Sequence, residues 1–276
     1  MTIKQLTSNI DDGLALKQIT VAYTEIASGK LKNIRSLVEH NRYFLQDLAV
    51  VYQVVKQVAA VRQVLLPKNS KTVSILITSN YHFYGNVNAK LVTYFTRAMK
   101  KAATDQIIIG KTGLELLKDT SYNLPYQSLV LEKDYPNTTE LQTIVSQTRN
   151  YSQIVVYYSE MKNVMTQNPM TKDITQTSFL KTSIDLEYAL KTFIFEPEME
   201  KILEFFDMQV TNLLLQQTFL DSELSRTASR LVSMDQAQSK ADTFLASSKT
   251  LLDQAKRSLT NMRLLETASA MKMVNP

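Results

Sequence analysis

The feature that most constrains this chain is a C-terminal window without helix breakers. Residues 198–275 contain neither proline nor glycine, the two residues that most readily interrupt an α-helix. A single helix through this window would be about 117 Å long at 1.5 Å per residue. A helix of that length needs a partner along its side, because helices in proteins are stabilised mainly by packing one face. The window therefore predicts a long helix with a partner-binding face.

The same window carries a heptad repeat. Apolar residues recur at alternating steps of three and four without a slip, which is typical of a coiled-coil seam. From Gln217 onward small and polar residues interrupt the seam, so it is not a maximally stable zipper. The seam positions are Leu203, Phe206, Val210, Leu213, Gln217, Leu220, Leu224, Thr227, Leu231, Met234, Gln238, Ala241, Leu245, Ser248, Leu252, Ala255, Leu259 and Met262.

The N-terminal region shows a shorter repeat of the same kind. Residues 1–66 contain no proline, and we predict a seam there at Ile19, Tyr23, Ile26, Lys30, Phe44, Leu48, Val51, Val55 and Val58. Two such helices at the two ends of one chain are expected to pack antiparallel against each other. The alternative is two separate partner-binding helices.

The middle of the chain alternates between strand-like and helix-like segments. Apolar, β-branched runs at 71–79, 105–110, 128–132 and 152–159 predict strands, and helical spacing is found at 87–102 and 140–150. Residues 182–196 are predicted to be a late extended segment. Strands alternating with helices favour a parallel sheet with helices on its faces.

We therefore predict an α/β protein in which a Rossmann-like domain is inserted between two helices of a long antiparallel coiled coil. The expected boundaries are 1–66 for the N-terminal coiled-coil helix, 67–197 for the α/β domain and 198–276 for the C-terminal coiled-coil helix.

Composition excludes several classes of site. The absence of cysteine excludes disulfides, thiolate nucleophiles and Cys-ligated metals, and two histidines leave little for a His-rich metal site. The 31 basic and 26 acidic residues are interspersed, which argues against a nucleic-acid-binding face. No apolar run has the length of a membrane helix, and the N-terminus lacks the apolar segment of a secretory signal. We expect a cytosolic chain without direct membrane insertion.

No set of residues predicts an active site. His82 follows the first predicted strand but has no Ser–His–Asp spacing around it, so a structural or surface role is expected. The GKTG run at 110–113 lacks the upstream glycine and the following Ser/Thr of a phosphate loop and is interpreted as a turn. The carboxylates Glu196 and Glu198 flank a proline at an element boundary. No catalytic residue, cofactor or metal is therefore predicted.

Several segments resemble the γ subunit of F-type ATP synthase. The N-terminal helix matches at Ile19, Thr20, Ala22, Ala27, Lys30 and Leu31, and the segment after the first strand matches at Thr78, Ser79, Gly85 and Asn88. Gly110 and Gly113 match a Gly-basic-x-Gly turn. From Phe193 onward the match is ungapped and includes Ala228, Arg230, Val232, Met234, Asp235, Ala237 and Ala241.

The chain also departs from the family pattern. After the first strand, Asn80 stands in place of Asp, Tyr81 in place of Arg, and His82 and Asn86 in place of glycines. The resemblance spans nearly the whole chain in order, so a divergent member is indicated.

The resemblance implies a non-catalytic rotor shaft. The family's coiled coil passes through a hexamer of α and β subunits, and its foot stands with the ε subunit on the membrane c-ring. Rotation couples ion flow to ATP synthesis or hydrolysis, and the catalytic sites lie on partner subunits. The implied location is the inner face of a bacterial plasma membrane.

Two groups of contact residues are implied by the same resemblance. Positions that contact the β-subunit catch region correspond to Lys256, Arg257, Asn261 and Arg263, where the family usually has Arg, Gln, Thr and Glu. Positions that face the c-ring correspond to Phe193, Phe195 and Glu196. A solvated helix face and edge-strand packing, respectively, are the alternatives.

Other functions stay open at this point. The substitutions in residues 80–86 allow a γ-like shaft in a repurposed rotary motor. A coiled-coil scaffold or adaptor without a rotary partner is a second possibility. An α/β enzyme would require tight binding of a small molecule to the 79–88 loop.

Overall fold

In a computed structural model of the protein, residues 2–64, 69–102, 104–120, 122–175, 196 and 198–274 are described, with side chains described up to Met271. Within these ranges the elements in chain order are α1 (Ile3–Val61), β1 (Thr72–Ile77), α2 (Val87–Met99), β2 (Asp105–Ile109), α3 (Lys111–Asp119), β3 (Gln127–Leu129), α4 (Thr138–Thr148), β4 (Gln153–Asn163), β5 (Thr166–Asp173) and α5 (Met199–Val274). The two long helices and the α/β elements between them confirm the predicted fold class.

The sheet is mixed, with strand order β3-β2-β1-β4-β5. Strand β1 pairs in parallel with both β2 and β4, and β2 pairs in parallel with β3. Among the described strands β5 is outermost; it pairs antiparallel with β4, and Pro169 lies opposite Ser159. Proline is tolerated there because an edge strand leaves one row of N–H groups unpaired.

Two elements were not predicted from the sequence. Strand β5 contains Pro169 and lies outside the predicted strands, and α3 begins inside the GKTG run, which the sequence predicts to be a turn. The predicted strands and helices elsewhere in the middle region are confirmed within a few residues. Of the predicted extended segment at 182–196, only Glu196 lies among the described residues.

The chain forms two compact units, and each contains part of both long helices. One unit comprises Met1–Ser28 and Arg230–Pro276, and the other comprises Gly29–Ser229. The predicted domain boundaries are a different kind of division, based on sequence regions, and stay a prediction.

In the Met1–Ser28 and Arg230–Pro276 unit, α1 and α5 run antiparallel. Lys17 forms an ion pair with Asp242 at 2.6 Å, and the Arg230 guanidinium lies 5.6 Å from the centre of the Tyr23 ring. At Gly13 the helices are so close that an added Cβ would lie 2.8 Å from Leu245 Cδ2. Glycine therefore permits the close approach of the two helices at this level.

In the Gly29–Ser229 unit, both faces of the sheet are covered. One face packs against α1, α4 and α5 through Val58, Ile144 and Phe219, all of which are buried. The other face packs against α2 and α3 through Phe95 and Leu117. The long helices thus form one layer of the α/β core of this unit.

The seam predicted on α5 is confirmed over most of its length. Its positions are buried or partly buried as far as Ala255, whereas Leu259 and Met262 are exposed.

The seam predicted on α1 is wrong in the first part of the helix but confirmed near its end, where Val55 and Val58 are buried and Leu48 is partly buried. Ile19, Ile26 and Phe44 are more than half exposed. In this first part the buried positions instead form a line at Leu6, Ile10, Gly13, Thr20, Ala27, Ile34 and Val38. This line contains small and polar residues because the helices approach closely, and a search for large apolar residues therefore misses it.

Helix α1 also contains an apolar window. Eighteen of its residues reach a mean hydropathy of 1.2, which by length and composition alone would allow a membrane crossing, although the sequence has no uninterrupted apolar run of that length. About 33% of this window is buried inside the protein. Tyr52, Val55 and Val58 on α1 belong to the main apolar core, so packing within the protein accounts for their apolar character.

Candidate functional site

The carboxyl end of β1 is the place where a fold of this kind binds ligands. From β1 the chain proceeds to β2 on one side and later returns to β4 on the other side. Such a topological switch point leaves a crevice at the carboxyl ends of the strands, which ligands occupy in doubly wound sheets. In this chain the crevice lies beside Thr78 and Ser79, which follow β1, and Ser159 on β4.

The start of α3, next to this crevice, has no free N–H groups for an anion. Lys111 N donates to Asn80 Oδ1 at 3.1 Å and Thr112 N to the Ser79 carbonyl at 2.9 Å. Gly113 N donates to Thr78 Oγ1 at 3.0 Å. These are the groups that would otherwise bind a phosphate at a helix N-terminus. The chain's own loop after β1 therefore occupies the anion-binding position.

Glycine is required at two positions for this arrangement. Gly110 has φ of +102°, and a Cβ added there would lie 2.8 Å from the Thr78 carbonyl carbon. At Gly113 an added Cβ would lie 2.5 Å from Thr78 Oγ1. The two glycines therefore allow α3 to contact the end of β1 directly.

The loop after β1 is held by Asp134, which is 4% exposed. Asp134 Oδ1 accepts a hydrogen bond from Asn80 N at 2.6 Å, and Oδ2 accepts one from the Tyr84 hydroxyl. The Asn80 side-chain amide donates to the Leu131 carbonyl at 2.6 Å. An aspartate at position 80, as in the family pattern, could not donate this bond in its ionised form. Asn80 is therefore suited to this local network.

Helix α5 covers the other side of the crevice. Ser225 Oγ lies 2.6 Å from Ser159 Oγ on β4, and Ser229 Oγ donates to the Tyr84 carbonyl at 2.9 Å. Arg226 lies between these two serines and is 1% exposed. Its guanidinium donates to the Thr78 carbonyl at 3.3 Å and to the Asp134 carbonyl at 3.1 Å.

A third bond of Arg226 stays within α5, where the guanidinium donates to Ser222 Oγ at 2.9 Å. The Nε atom is buried without a hydrogen-bond partner among the described residues. Arg226 is not among the site residues predicted from the sequence. The available signal was a charged residue between the buried seam positions Leu224 and Thr227.

The polar groups of this site hold parts of the chain to one another by hydrogen bonds. Its carbonyls and hydroxyls, the Asn80 amide and the Asp134 carboxylate bond to groups of the chain itself, and Ser225, Arg226 and Ser229 of α5 contact the same region. Within the described ranges, no group of three or more His, Asp and Glu residues is placed to hold a metal ion. His82 and the carboxylates Glu196 and Glu198 are exposed.

The predicted catch-region residues lie near the end of α5. Lys256, Arg257, Asn261 and Arg263 are all exposed on this helix, in the Met1–Ser28 and Arg230–Pro276 unit. Lys256 and Arg263 are one heptad apart and share a face, and Arg257 and Asn261 form a neighbouring i, i+4 pair. The structure thus places three cations and an amide on a solvent-facing part of the helix.

The predicted c-ring contacts lie at the other end of this helix in sequence. Glu196 is exposed just before α5 begins. Phe193 and Phe195 lie outside the described residues.

Relatives of the chain are γ chains of bacterial ATP synthases. The ATP synthase γ chain of Staphylococcus saprophyticus is 24% identical, and the alignment covers 96% of each chain. The corresponding chain of Staphylococcus haemolyticus is 23% identical over 87% of this chain and 88% of that one.

Solved structures with the same fold come from mitochondrial ATP synthases. A chain of the central stalk and c-ring of Tetrahymena thermophila matches with a TM-score of 0.60, at 22% identity, over 79% of this chain and 99% of that chain. A chain of the Euglena gracilis enzyme matches with a TM-score of 0.59, at 14% identity, over 90% and 95%. At these identities the likeness concerns the fold.

The sequence model of one family covers almost the entire chain. The model described as ATP synthase matches residues 2–272. These residues include both long helices and the α/β elements between them. The chain therefore belongs to the ATP synthase family, as a divergent, non-catalytic γ subunit.

Proposed function

We propose that this chain is the central-stalk rotor of an F-type ATPase, coupling ion-driven rotation of a c-ring to ATP synthesis or hydrolysis in an α/β hexamer. The observation that carries the proposal is the family match over residues 2–272. The relative from Staphylococcus saprophyticus, itself named a γ chain, is covered over 96% of its length. The match therefore extends over nearly the full length of that relative and is not confined to one shared module.

The architecture suits a shaft that turns inside a bearing. Helix α5 continues for 76 residues without a break, and α1 for 59. Close approach at Gly13, with further small residues such as Thr20 and Ala27 on the buried line of α1, keeps the helix pair narrow. A thin, uninterrupted helix pair transmits torque with little local bending, because kinks arise mainly at proline and at inserted residues.

The last part of α5 supports contact with a partner. Residues 256–271 are all exposed and include large apolar side chains such as Leu264, Leu265 and Met271, each more than 60% exposed. Exposed apolar surface of this extent marks interaction sites in proteins. The α/β hexamer is the proposed partner for this segment.

Within the same segment, Lys256, Arg257, Asn261 and Arg263 are proposed to contact the catch region of the β subunit. All four are exposed, and the positive charges of Lys256, Arg257 and Arg263 suit carboxylate partners. The family usually has Glu where Arg263 stands. The residue of the β subunit that contacts Arg263 is therefore expected to differ in charge from the residue that contacts Glu in other members.

At the foot, Glu196 with Phe193 and Phe195 is proposed to face the c-ring, and the ε subunit is a further proposed partner. The solved relatives are drawn from complexes that include the c-ring, which supports this assignment. The complex is membrane-associated. We propose the cytoplasmic face of a bacterial plasma membrane as its location, since the curated relatives are from Staphylococcus.

A second candidate is the γ-like shaft of a repurposed rotary motor. The loop after β1 favours it, because Tyr81, which stands in place of Arg in the family pattern, exposes its aromatic ring next to that of Phe83 in sequence. A scaffold without any rotary partner is the remaining alternative.

The deciding experiment is affinity purification of the tagged chain from its host, followed by ATPase assays with and without it. Co-purification of α-, β- and c-type subunits, and loss of coupled activity when the chain is omitted, are expected. Copurification of hexamer subunits without c-ring subunits would favour a repurposed motor. Absence of any ATPase subunit would refute the rotor function.

The catch-region assignment has its own test. Arg263→Glu is expected to change the ATPase rate of the assembled complex, because it reverses a charge at the proposed contact. Lys249→Glu is the matched control, since Lys249 is also an exposed cation on α5. Intact assembly with an unchanged ATPase rate for Arg263→Glu would remove Arg263 from the contact.

A further inference from the structure

The largest fully buried side chain among the described residues belongs to Arg226. Burying a guanidinium is costly, and this one donates to neutral oxygens and leaves Nε without a partner among the described residues. A hydrophobic residue of similar size would avoid this cost. The position of Arg226 is therefore better explained by the specific bonds that it makes than by stability alone.

Those bonds join α5 to separate parts of the α/β fold. Thr78 directly follows β1, and Asp134 lies between β3 and α4. Ser225, the residue before Arg226, contacts Ser159 on β4. Ser229, three residues after Arg226, donates to the Tyr84 carbonyl in the loop after β1. Ser225, Arg226 and Ser229 lie within five consecutive residues of the helix. They therefore act together over about one helical turn.

We infer that Arg226 is a positioning residue that fixes the carboxyl edge of the sheet to α5, so that the α/β layers turn with the shaft helix. Apolar contacts alone allow a helix to slide or rotate against a sheet, because the hydrophobic effect is non-directional. Hydrogen bonds to defined carbonyls fix both the height and the rotation of the helix. This inference rests on the proposed rotor function.

Coupling is the property that this role should affect. If the sheet can shift against α5, rotation at one part of the rotor is no longer transmitted fully to the other. ATP hydrolysis would continue, but less ion transport would result from each ATP. A purely structural role would instead lower stability or assembly and leave the ratio of transport to hydrolysis unchanged.

The test uses the full-length chain in the complete, membrane-reconstituted complex. ATP hydrolysis and ATP-driven build-up of membrane potential are measured on the same vesicles for the wild-type chain and Arg226→Ala. We expect the potential generated per ATP to fall by at least half. Thr218→Val is the matched control, because Thr218 is also fully buried on α5 but, among the described residues, donates only to the Leu215 carbonyl of its own helix. Its coupling should equal that of the wild type.

Chemical rescue separates the guanidinium from the rest of the side chain. Arg226→Ala leaves space beside the Thr78 and Asp134 carbonyls, and millimolar guanidinium chloride should restore part of the lost coupling. Tetramethylammonium chloride at the same concentration cannot donate hydrogen bonds and should not. Arg226→Lys should be intermediate, because an ammonium cannot reproduce the planar fork of donors.

Each outcome decides the inference. Normal coupling in assembled Arg226→Ala complexes would overturn it. If that variant does not assemble, Ser229→Ala decides instead, since it removes the bond to Tyr84 without vacating a buried charge: reduced coupling supports the inference and wild-type coupling overturns it. Failure of the wild-type chain itself to support coupled activity would refute the rotor function and not the role of Arg226.

Discussion

At the scale of single residues, the contact between α3 and the end of β1 depends on the absence of a side chain at Gly113. The hydroxyl of Thr78 accepts the Gly113 N–H and donates to the Ile109 carbonyl at 2.6 Å. Thr78 is 2% exposed and has no room to withdraw. A methyl group at position 113 would therefore force a shift between two packed elements.

We predict that Gly113→Ala lowers the free energy of unfolding by about 1–3 kcal/mol, as overpacked substitutions do. Urea unfolding of the full-length chain, followed by circular dichroism, measures this. Gly29→Ala is the control and is expected to raise the free energy of unfolding. Nothing lies within 4 Å of the Cβ that it adds, and Gly29 is an exposed residue inside α1. It should gain about 1 kcal/mol from helix propensity. Equal effects of the two substitutions would contradict the crowding at Gly113.

A second residue-scale feature is the buried carboxylate of Asp221 on α5. Burial raises the pKa of Asp221 above its ordinary value of 3.8, although the positive charges of Lys172 and Arg42 oppose the rise. Burial also lowers the pKa of Lys172. Because the pKa of Asp221 is higher in the folded state, its contribution to stability is complete below pH 3.8 and is lost as the pH rises through the folded-state value.

We therefore predict that Asp221→Asn is more stable than the wild type at neutral pH, and that the difference disappears in acid. The asparagine oxygen can still accept the bond that Gln217 Nε2 donates at 3.0 Å. The measurement is the difference in unfolding free energy between the two proteins from acid to neutral pH. A variant that is less stable at neutral pH would show that attraction to Lys172 outweighs burial.

At the scale of elements, α4 shows how a short helix is fixed by local sequence. Asn137 Oδ1 accepts from Glu140 N at 2.8 Å, and the Glu140 carboxylate accepts from Asn137 N at 2.8 Å, which forms a capping box. Glu140 also accepts from Glu132 N at 2.7 Å. The cap thus joins the start of α4 to the chain that follows β3.

Asn137→Ala should lower the free energy of unfolding by about 1 kcal/mol, the usual cost of losing an N-cap. Thr139→Ala, two residues into the same helix and equally exposed, should change stability much less. Chemical denaturation of both variants tests this pair. A loss at Thr139 as large as that at Asn137 would mean that the capping box does not stabilise α4.

Helices α1 and α5 differ in how well their sequences reveal their buried faces. On α5 the apolar heptad coincides with the buried line, because large residues such as Leu203, Leu220 and Leu245 supply it. On α1 the buried line includes Gly13, Thr20 and Ala27, while Ile19 and Ile26 face outward. Where two helices approach closely, small residues are selected at the contact, and an apolar repeat then indicates the wrong face.

At the scale of the whole molecule, the end of α5 contributes exposed surface and little packing. Residues 256–271 are exposed, and α1, its antiparallel partner in this unit, begins only at Ile3. Leu6 and Ile10, by contrast, are buried.

Deletion of residues 257–276 should leave the urea midpoint of the isolated chain nearly unchanged and lower the activity of the assembled ATPase. Deletion of residues 1–13 is the comparison, and it should destabilise the Met1–Ser28 and Arg230–Pro276 unit because it removes buried apolar residues. Comparison of the two unfolding curves and of the ATPase rates checks both statements. A large loss of stability on removing 257–276 would show that this segment packs within the chain.

Residue order alone was enough to predict the breaker-free helices, the α/β segments between them, the α5 seam and the family. These depend on local periodicity and on the order of motifs. Both can be read from the chain without knowing which residues pack together in the fold. The register of the first part of α1, strand β5 with Pro169, the start of α3 at Lys111 and the role of Arg226 emerge only from the three-dimensional fold. Each depends on what lies opposite the residue in the fold: a closely approaching helix, an unpaired sheet edge, the Thr78 hydroxyl or the carbonyls at the end of a strand.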